Sequence, residues 1–164
     1  MFEATLSFDG GIREGTMAYG WLLTKQTYID LQCGGIYDHK ADIIVSGKRT
    51  CGKGTSNVAE YRALIAGLQG SLKAGVDIIH IIGDSQLIIK QVTGVFKVKK
   101  EELRKHRDYV LELLEQFEEY TIMWVPRQEN KRADALVNEV FERRNGKCSK
   151  RQKKLDRKNL RRQS

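Results

Sequence analysis

The sequence predicts a single α/β domain with a mixed five-stranded sheet and helices packed on it, in the order β-β-β-α-β-α-α-β-α. Three observations predict this class. The 164 residues are enough for about one domain. Residues 2–9 alternate apolar and polar side chains, which indicates a strand with one apolar face. From Asn57 onward, segments of helical period alternate with apolar strands, as in sheets whose strands are joined by helical crossovers.

Three strands are predicted before the first helix, as an antiparallel meander. The first ends at Asp9-Gly10-Gly11, a sequence typical of a turn. Within residues 38–56 only Ile43–Val45 has the composition of a further short strand, and the stretch after it is predicted as a loop. The predicted strands are residues 2–9, 16–25 and 27–37.

Helices and strands alternate in the second half of the chain. Residues 77–84 are apolar on both faces, which indicates a central parallel strand buried on each side. Gly67 and Gly70 each cost about 1 kcal/mol within the preceding helix, and their presence favours close packing of that helix on the sheet. The predicted elements are a helix from Asn57 through Leu72, a strand at 77–84, a short helix after Ser85, a helix at 101–117, a strand at 120–125 and a helix at 130–144.

The net charge of +8 is concentrated at the C-terminus. Residues 143–164 contain eleven Lys and Arg and one acid, Asp156, which gives +10 and leaves −2 for residues 1–142. We therefore expect a folded domain over residues 1–144 and a flexible basic tail over 145–164 that contacts nucleic acid. A solvated end without a partner is the alternative.

Cysteine usage and apolar patterning favour a reduced, cytoplasmic protein. Cys33, Cys51 and Cys148 lack C-x-x-C spacing, which argues against a disulfide framework and against a zinc site. The first residues lack the pattern of a secretion signal, and no stretch approaches the about 18 apolar residues of a membrane span. We expect a monomer that works without a membrane.

Four acids lie at the boundaries of predicted elements: Asp9, Glu60, Asp84 and Asp134. Each has a local explanation. Asp9 can start a turn, Asp84 can cap the following helix, and Asp134 suits a first helical turn. Asn57 and Glu60 have the spacing of a capping box.

Their predicted placement favours a common site. Asp9 and Asp84 are predicted at the C-terminal ends of central strands, where α/β sheets place ligands. Glu60 and Asp134 border the apolar stripes of their helices. Converging carboxylates repel one another unless a cation binds, and all-oxygen ligands suit Mg²⁺ or Mn²⁺ rather than zinc. Two such ions can serve a phosphoryl displacement.

The sequence resembles the type 1 ribonuclease H family in motifs whose order and spacing match over about residues 2–143. These motifs are residues 8–11, 55–64, 83–87, 124–127 and 130–136. The resemblance implies an endonuclease that hydrolyses the RNA strand of RNA–DNA hybrids with two Mg²⁺ ions, or Mn²⁺ as a substitute. The products would carry 5′-phosphate and 3′-hydroxyl ends.

The resemblance also implies roles for the four acids. Asp9 would contact both ions, and Glu60 and Asp84 would hold the ion that activates water. Asp134 would hold the ion beside the leaving 3′ oxygen.

Substrate contacts follow from the same resemblance. Asn57 and Gln86 match positions that contact ribose 2′-hydroxyls and base edges, and Thr55 matches a position that contacts a DNA phosphate. Helix capping is the alternative for Thr55, Ser56 and Asn57. The remaining predicted substrate contacts are Gly10, Gly11, Ser56, Ser85, Lys97 and Lys99.

The sequence departs from the family pattern in two places. The loop at residues 127–130 lacks the histidine that many members carry there, and Glu129 is the candidate to replace it in product release. The tryptophan-rich basic protrusion of some relatives is missing, and residues 96–100 stand in its place.

Two other functions share these features. Another nuclease of the same fold, acting on double-stranded RNA or DNA, would keep the four acids but should lack the Asn57 and Gln86 pair. A hybrid-binding module with weak catalysis would keep the fold, although the presence of all four acids argues against it.

Overall fold

The computed structural model describes residues 1–25 and 42–144. The predicted element order is confirmed. The strands are β1 Glu3–Arg13, β2 Thr16–Lys25, β3 Ile43–Lys53, β4 Ile78–Gly83 and β5 Glu119–Trp124. The helices are α1 Ser56–Lys73, α2 Gln86–Val92, α3 Glu101–Leu114 and, over residues 131–144, α4, with a short 3₁₀ helix at Arg127–Glu129 before α4.

The five strands form one mixed sheet in the order β3-β2-β1-β4-β5. β1 pairs antiparallel with β2 and parallel with β4, and β4 pairs parallel with β5. β1 and β4 are therefore the central strands. As predicted, β4 carries an apolar sequence because both faces of the sheet are covered there, and Ile79, Ile81 and Ile82 are at most 1% exposed.

The third strand differs from the prediction. The predicted strand at residues 27–37 lies outside the described residues. β3 instead spans Ile43–Lys53, so the predicted short strand at 43–45 continues through the stretch that was predicted as a loop. β3 lies at the sheet edge, where a strand needs backbone pairing on one side only and tolerates glycine and charged residues.

The turn after the first strand was also misplaced. Asp9-Gly10-Gly11 lies inside β1, opposite residues 18–20 of β2. The chain turns instead at Glu14 and Gly15, whose φ angles are 50° and 73°. Positive φ at both central residues matches the two-residue turns whose twist suits a hairpin.

Helix α1 packs closely on the sheet, as its glycines predicted. A Cβ atom on Gly67 would lie 2.6 Å from Leu6 Cδ1, and one on Gly70 would lie 2.2 Å from Trp21 Cη2. The main core fills the space between this face of the sheet and α1, α2 and α3. α4 covers the opposite face, where Val137 and Phe141 pack on Ala18.

Among the predicted helix caps, Thr55 is confirmed, whereas the capping box and the Asp84 cap are not formed. α1 begins after Thr55, whose Oγ1 accepts from the Val58 N–H at 3.3 Å, so the capping box of Asn57 and Glu60 is not formed. Ser85 rather than Asp84 caps α2. Over the described ranges, no helix combines the length and apolar character that a bilayer crossing requires.

Candidate active site

Three predicted acids meet at one end of the parallel strands. Asp9 follows the last β1–β4 pair, Phe8 with Gly83, and Asp84 follows β4 directly. Glu60 reaches the same point from α1. One carboxylate oxygen from each of the three lies within 4.8 Å of the other two. We call Asp9, Glu60 and Asp84 the acid cluster.

Gly10 lets Glu60 come this close to the sheet. A Cβ atom at position 10 would lie 2.3 Å from both the Ala59 carbonyl carbon and the Glu60 nitrogen. The backbones of β1 and α1 therefore touch at the point where the acid cluster forms. Gly11 points to the other face, where a Cβ atom would be 3.5 Å from Val137 Cγ1, an ordinary contact.

Burial and the repulsion between carboxylates hold protons on Asp9 and Glu60 when no cation is bound. Burial, followed by the charges of Asp84 and Asp134, raises the pKa of Asp9 to about 7. Burial and then the charges of Asp9 and Asp84 raise the pKa of Glu60 well above its usual range. Arg127 opposes both shifts.

Asp134 lies beside the acid cluster rather than within it. Its charge acts on Asp9, but its two oxygens have partners of their own. Arg127 donates to Oδ1 at 2.7 Å and Asn138 donates to Oδ2 at 2.9 Å. Asn138 is one helical turn further along α4, so the helix itself holds Asp134 in position.

A buried asparagine joins three elements at the site. Asn130 is 1% exposed, and its side-chain amide donates to the Phe8 carbonyl at 2.8 Å and to Asp84 Oδ1 at 3.1 Å. It therefore ties the start of α4 to β1 and to the carboxylate that follows β4. This bond fixes the orientation of Asp84.

The acid cluster has the properties of a divalent-cation site. Glu60 Oε2 is buried and has no hydrogen-bond partner, which is costly unless a bound cation coordinates it. The donors are all carboxylate oxygens, the ligands that Mg²⁺ and Mn²⁺ prefer. The residues present therefore fit a hard divalent ion.

The predicted substrate contacts surround this end of the sheet in two groups. Thr55, Ser56 and Asn57 form the start of α1, and Ser85 and Gln86 form the start of α2. Capping, the alternative considered for residues 55–57, is confirmed for Thr55. Gln86 is exposed, and Asn57 is half-buried.

The other predicted residues lie apart from the contacts described so far. Lys97 and Lys99 are exposed on either side of the buried Val98. Glu129 is half-buried in the 3₁₀ helix that precedes α4. Its role in product release stays a prediction.

Sequence reasoning did not assign roles to Arg127, Asn130 or Asn138. Arg127 belongs to the loop that lacks the family histidine, and its guanidinium donates to the Asp134 carboxylate. For Asn138 the usable signal was its spacing of four residues from Asp134 on a helix. Asn130 had no such signal, because only the fold brings it to Phe8 and Asp84.

Comparisons with known proteins agree with this geometry. A family model described as reverse transcriptase-like matches residues 33–140. The chain is 41% identical over 137 residues to ribonuclease HI of Halobacterium salinarum. The matched region covers 82% of this chain and 62% of that protein. The chain thus spans less than two thirds of that curated relative.

Two solved structures are similar over most of their length. One is the N-terminal RNase H domain of Rv2228c from Mycobacterium tuberculosis, with a TM-score of 0.77 and 31% identity, covering 90% of this chain and 99% of that one. The other is LC11-RNase H1 in complex with an RNA/DNA hybrid, with a TM-score of 0.70 and 28% identity, covering 85% and 97%.

Proposed function

The chain belongs to the type 1 ribonuclease H family, and from that premise we propose that it hydrolyses the RNA strand of RNA–DNA hybrids. The observation that carries the proposal is the acid cluster. Asp9, Glu60 and Asp84 are distant in the chain, yet their oxygens lie within 4.8 Å of one another at the end of the central parallel strands. The hybrid in the LC11-RNase H1 complex supports the substrate class.

Metal binding completes the proposed site. Asp9, Glu60, Asp84 and Asp134 would hold two Mg²⁺ ions, with Mn²⁺ as a substitute, and Asp9 would be shared between them. When bound, the ions supply positive charge to the phosphoryl oxygens on which negative charge develops. The proposed products carry 5′-phosphate and 3′-hydroxyl ends.

The residues around the acids orient them for this role. Asn130 holds Asp84 through its side-chain amide, and Asn138 holds Asp134 from the next turn of α4. Arg127 places a positive charge at the edge of the site, where it also lowers the pKa of Asp9 and Glu60. Carboxylates fixed in this way need little reorganisation when substrate binds.

Substrate recognition is proposed at the starts of α1 and α2. Asn57 and Gln86 carry amides that can donate to and accept from a ribose 2′-hydroxyl, the group that distinguishes RNA from DNA. Thr55 uses an oxygen lone pair to cap α1, so its hydroxyl proton stays available for a DNA phosphate. Lys97 and Lys99 would contact the DNA backbone, and Gly10, Gly11, Ser56 and Ser85 would line the path of the hybrid.

The proposal is tested by a cleavage assay with three substrates of one sequence. End-labelled hybrid, duplex RNA and duplex DNA are incubated with the protein and Mg²⁺, Mn²⁺ or EDTA. We expect cleavage of the hybrid RNA alone, its loss in EDTA, and its loss in Asp9→Asn. Cleavage of duplex RNA or DNA would instead identify another nuclease of the same fold. Tight hybrid binding without cleavage would identify a binding module.

A further inference from the structure

Two neighbouring cavities meet at the exposed edge of β3, away from the acid cluster. The first, of about 580 Å³, lies between β3 and the end of α4. The second, of about 590 Å³, lies between β3 and α1. They share Arg49, Thr50 and Gly52, so they adjoin at the edge of β3, one on each face of the sheet, and we call the two together the groove.

The groove is lined by basic side chains from three elements and by no acidic one of the described residues. Arg62 of α1 donates to the Cys51 carbonyl at 2.9 Å, which holds its guanidinium at the strand edge. We call this lining the basic saddle, and its members are Lys48, Arg49, Arg62, Arg143 and Arg144.

Neighbouring acids leave most of this charge uncompensated. Glu139 pairs with Lys48 and lies 3.9 Å from Arg143. Within residues 1–25 and 42–144, no carboxylate is paired with Arg49 or Arg144 at 4 Å or less. The saddle therefore presents free guanidinium groups in an open groove.

Protection of the sheet edge explains only part of this pattern. Charged residues on an edge strand prevent pairing with another chain, and this accounts for Lys48 and Arg49 on β3. It does not account for Arg62 on α1 or for Arg143 and Arg144 on α4. Basic side chains that converge from separate elements on one groove indicate an anionic partner.

We propose that the basic saddle binds the phosphate backbone of a nucleic-acid duplex, as a second contact surface outside the acid cluster. Guanidinium groups suit phosphates because they donate two parallel hydrogen bonds. Asp9 is opposite Gly20, and Gly20 is opposite Lys48, so roughly 10 Å separates the two backbones. When one segment of a duplex lies at the acid cluster, the adjoining segment of the same duplex can therefore reach the saddle.

The test measures binding without cleavage, so it does not depend on the proposed hydrolysis. Fluorescence anisotropy in EDTA follows a labelled duplex DNA and the hybrid of the same sequence over a range of salt concentrations. The variant is Arg49→Ala with Arg144→Ala in the full chain. Its matched control is Lys73→Ala with Lys105→Ala, which removes the same charge from exposed positions on α1 and α3.

We expect the arginine variant to bind both duplexes roughly tenfold more weakly. The slope of log affinity against log salt should flatten by about 1 per lost phosphate contact, or about 2. The lysine control should change neither quantity by as much. Equal effects of the two variants would show a general charge effect and overturn the proposal, as would an unchanged slope in the arginine variant.

A third variant tests the saddle in the opposite direction. Glu139→Gln removes the acid that pairs with Lys48, so it should tighten binding and steepen the salt dependence. Glu112→Gln, which removes an exposed acid from α3, is its control. Weaker binding by Glu139→Gln than by Glu112→Gln would contradict the proposal.

Discussion

At Asp9 stability and the proposed function conflict. It is 7% exposed and lies beside two other carboxylates, yet a metal site requires it to be charged. Without a cation, the folded protein keeps a proton on Asp9 up to about pH 7, whereas the unfolded chain loses it near the ordinary value of 3.8. Folding is therefore linked to pH at this residue.

The free energy of unfolding of the metal-free protein should fall as pH rises from about 4 to about 7. The folded state binds the extra proton in this range, so each pH unit costs up to about 1.4 kcal/mol for Asp9, and Glu60 acts in the same direction. Urea unfolding in EDTA at several pH values measures this. Asp9→Asn should flatten the profile and add about 2–4 kcal/mol at pH 8. A profile that rises over this range would contradict the account.

Asn130 should matter more than its neighbour Asn138. Asn130→Ala leaves the buried Phe8 carbonyl and Asp84 without a donor, which should cost about 1–3 kcal/mol and lower cleavage. Asn138→Ala removes one hydrogen bond to the half-buried Asp134 carboxylate, which still accepts from Arg127. The loss of unfolding free energy should therefore be smaller. Chemical denaturation compares the two. Equal costs would refute the positioning role of Asn130.

Sequence reasoning found the acids but not the residues that hold them. A carboxylate at a predicted strand end or helix start can begin a turn, cap a helix or bind a ligand. This short range of roles identified Asp9, Glu60 and Asp84. Asn130 contacts Asp84 across 46 positions of the chain, and it contacts the Phe8 carbonyl across 122. Such contacts depend on how α4 meets β1 and β4, which periodicity does not specify.

At the scale of elements, the contact of β1 with α1 positions the acid cluster. Gly10→Ala would place a methyl group 2.3 Å from the α1 backbone, which cannot rotate away as a flexible side chain does. We expect a loss of about 1–3 kcal/mol in unfolding free energy and weaker cleavage, because α1 must shift and carry Glu60 with it. Urea denaturation measures the change in unfolding free energy, and the cleavage assay measures the change in activity.

Gly11→Ala is the matched control for that variant. Its methyl group would meet Val137 at 3.5 Å, an ordinary contact, so the free energy of unfolding should change little. The same loss from both variants would show that β1 tolerates no side chain here, for reasons other than the position of α1.

The edge strand shows why part of the fold was predicted less well. β1, β4 and the helices were recognised because they bury apolar faces, and burial leaves a period in the sequence. β3 has mostly exposed or half-buried residues, including Ser46, Lys48 and Arg49. An edge strand forms by backbone pairing with one neighbour, so its sequence shows little alternation of apolar and polar residues.

At the scale of the whole molecule, positive charge and the proposed catalytic site are separated. The acid cluster needs a cation, and the basic saddle lies across two strands from it. The basic tail at residues 145–164 follows directly after Arg144 of the saddle. We propose that the saddle and the tail attract the hybrid at long range. Residues 1–142 taken together are nearly neutral and do not.

Truncation after Arg144 should weaken hybrid binding and flatten its salt dependence. The tail contains nine Lys and Arg and one acid, so each lost phosphate contact should reduce the salt slope by about 1. Anisotropy titrations of the full and truncated chains in EDTA measure the slope. An identical slope for both chains would remove the tail from the account.

The proposed hydrolysis requires Asp9, Glu60 and Asp84 to bind a divalent cation, and anomalous diffraction from a crystal soaked with Mn²⁺ measures this binding. The anomalous signal identifies the ion and its position independently of activity. We expect an anomalous peak among the carboxylates of these three residues, and we expect this peak to be lost in crystals of Asp9→Asn. A well-ordered crystal with no anomalous peak at the acid cluster, or with Mn²⁺ only elsewhere on the molecule, would contradict the proposed metal binding.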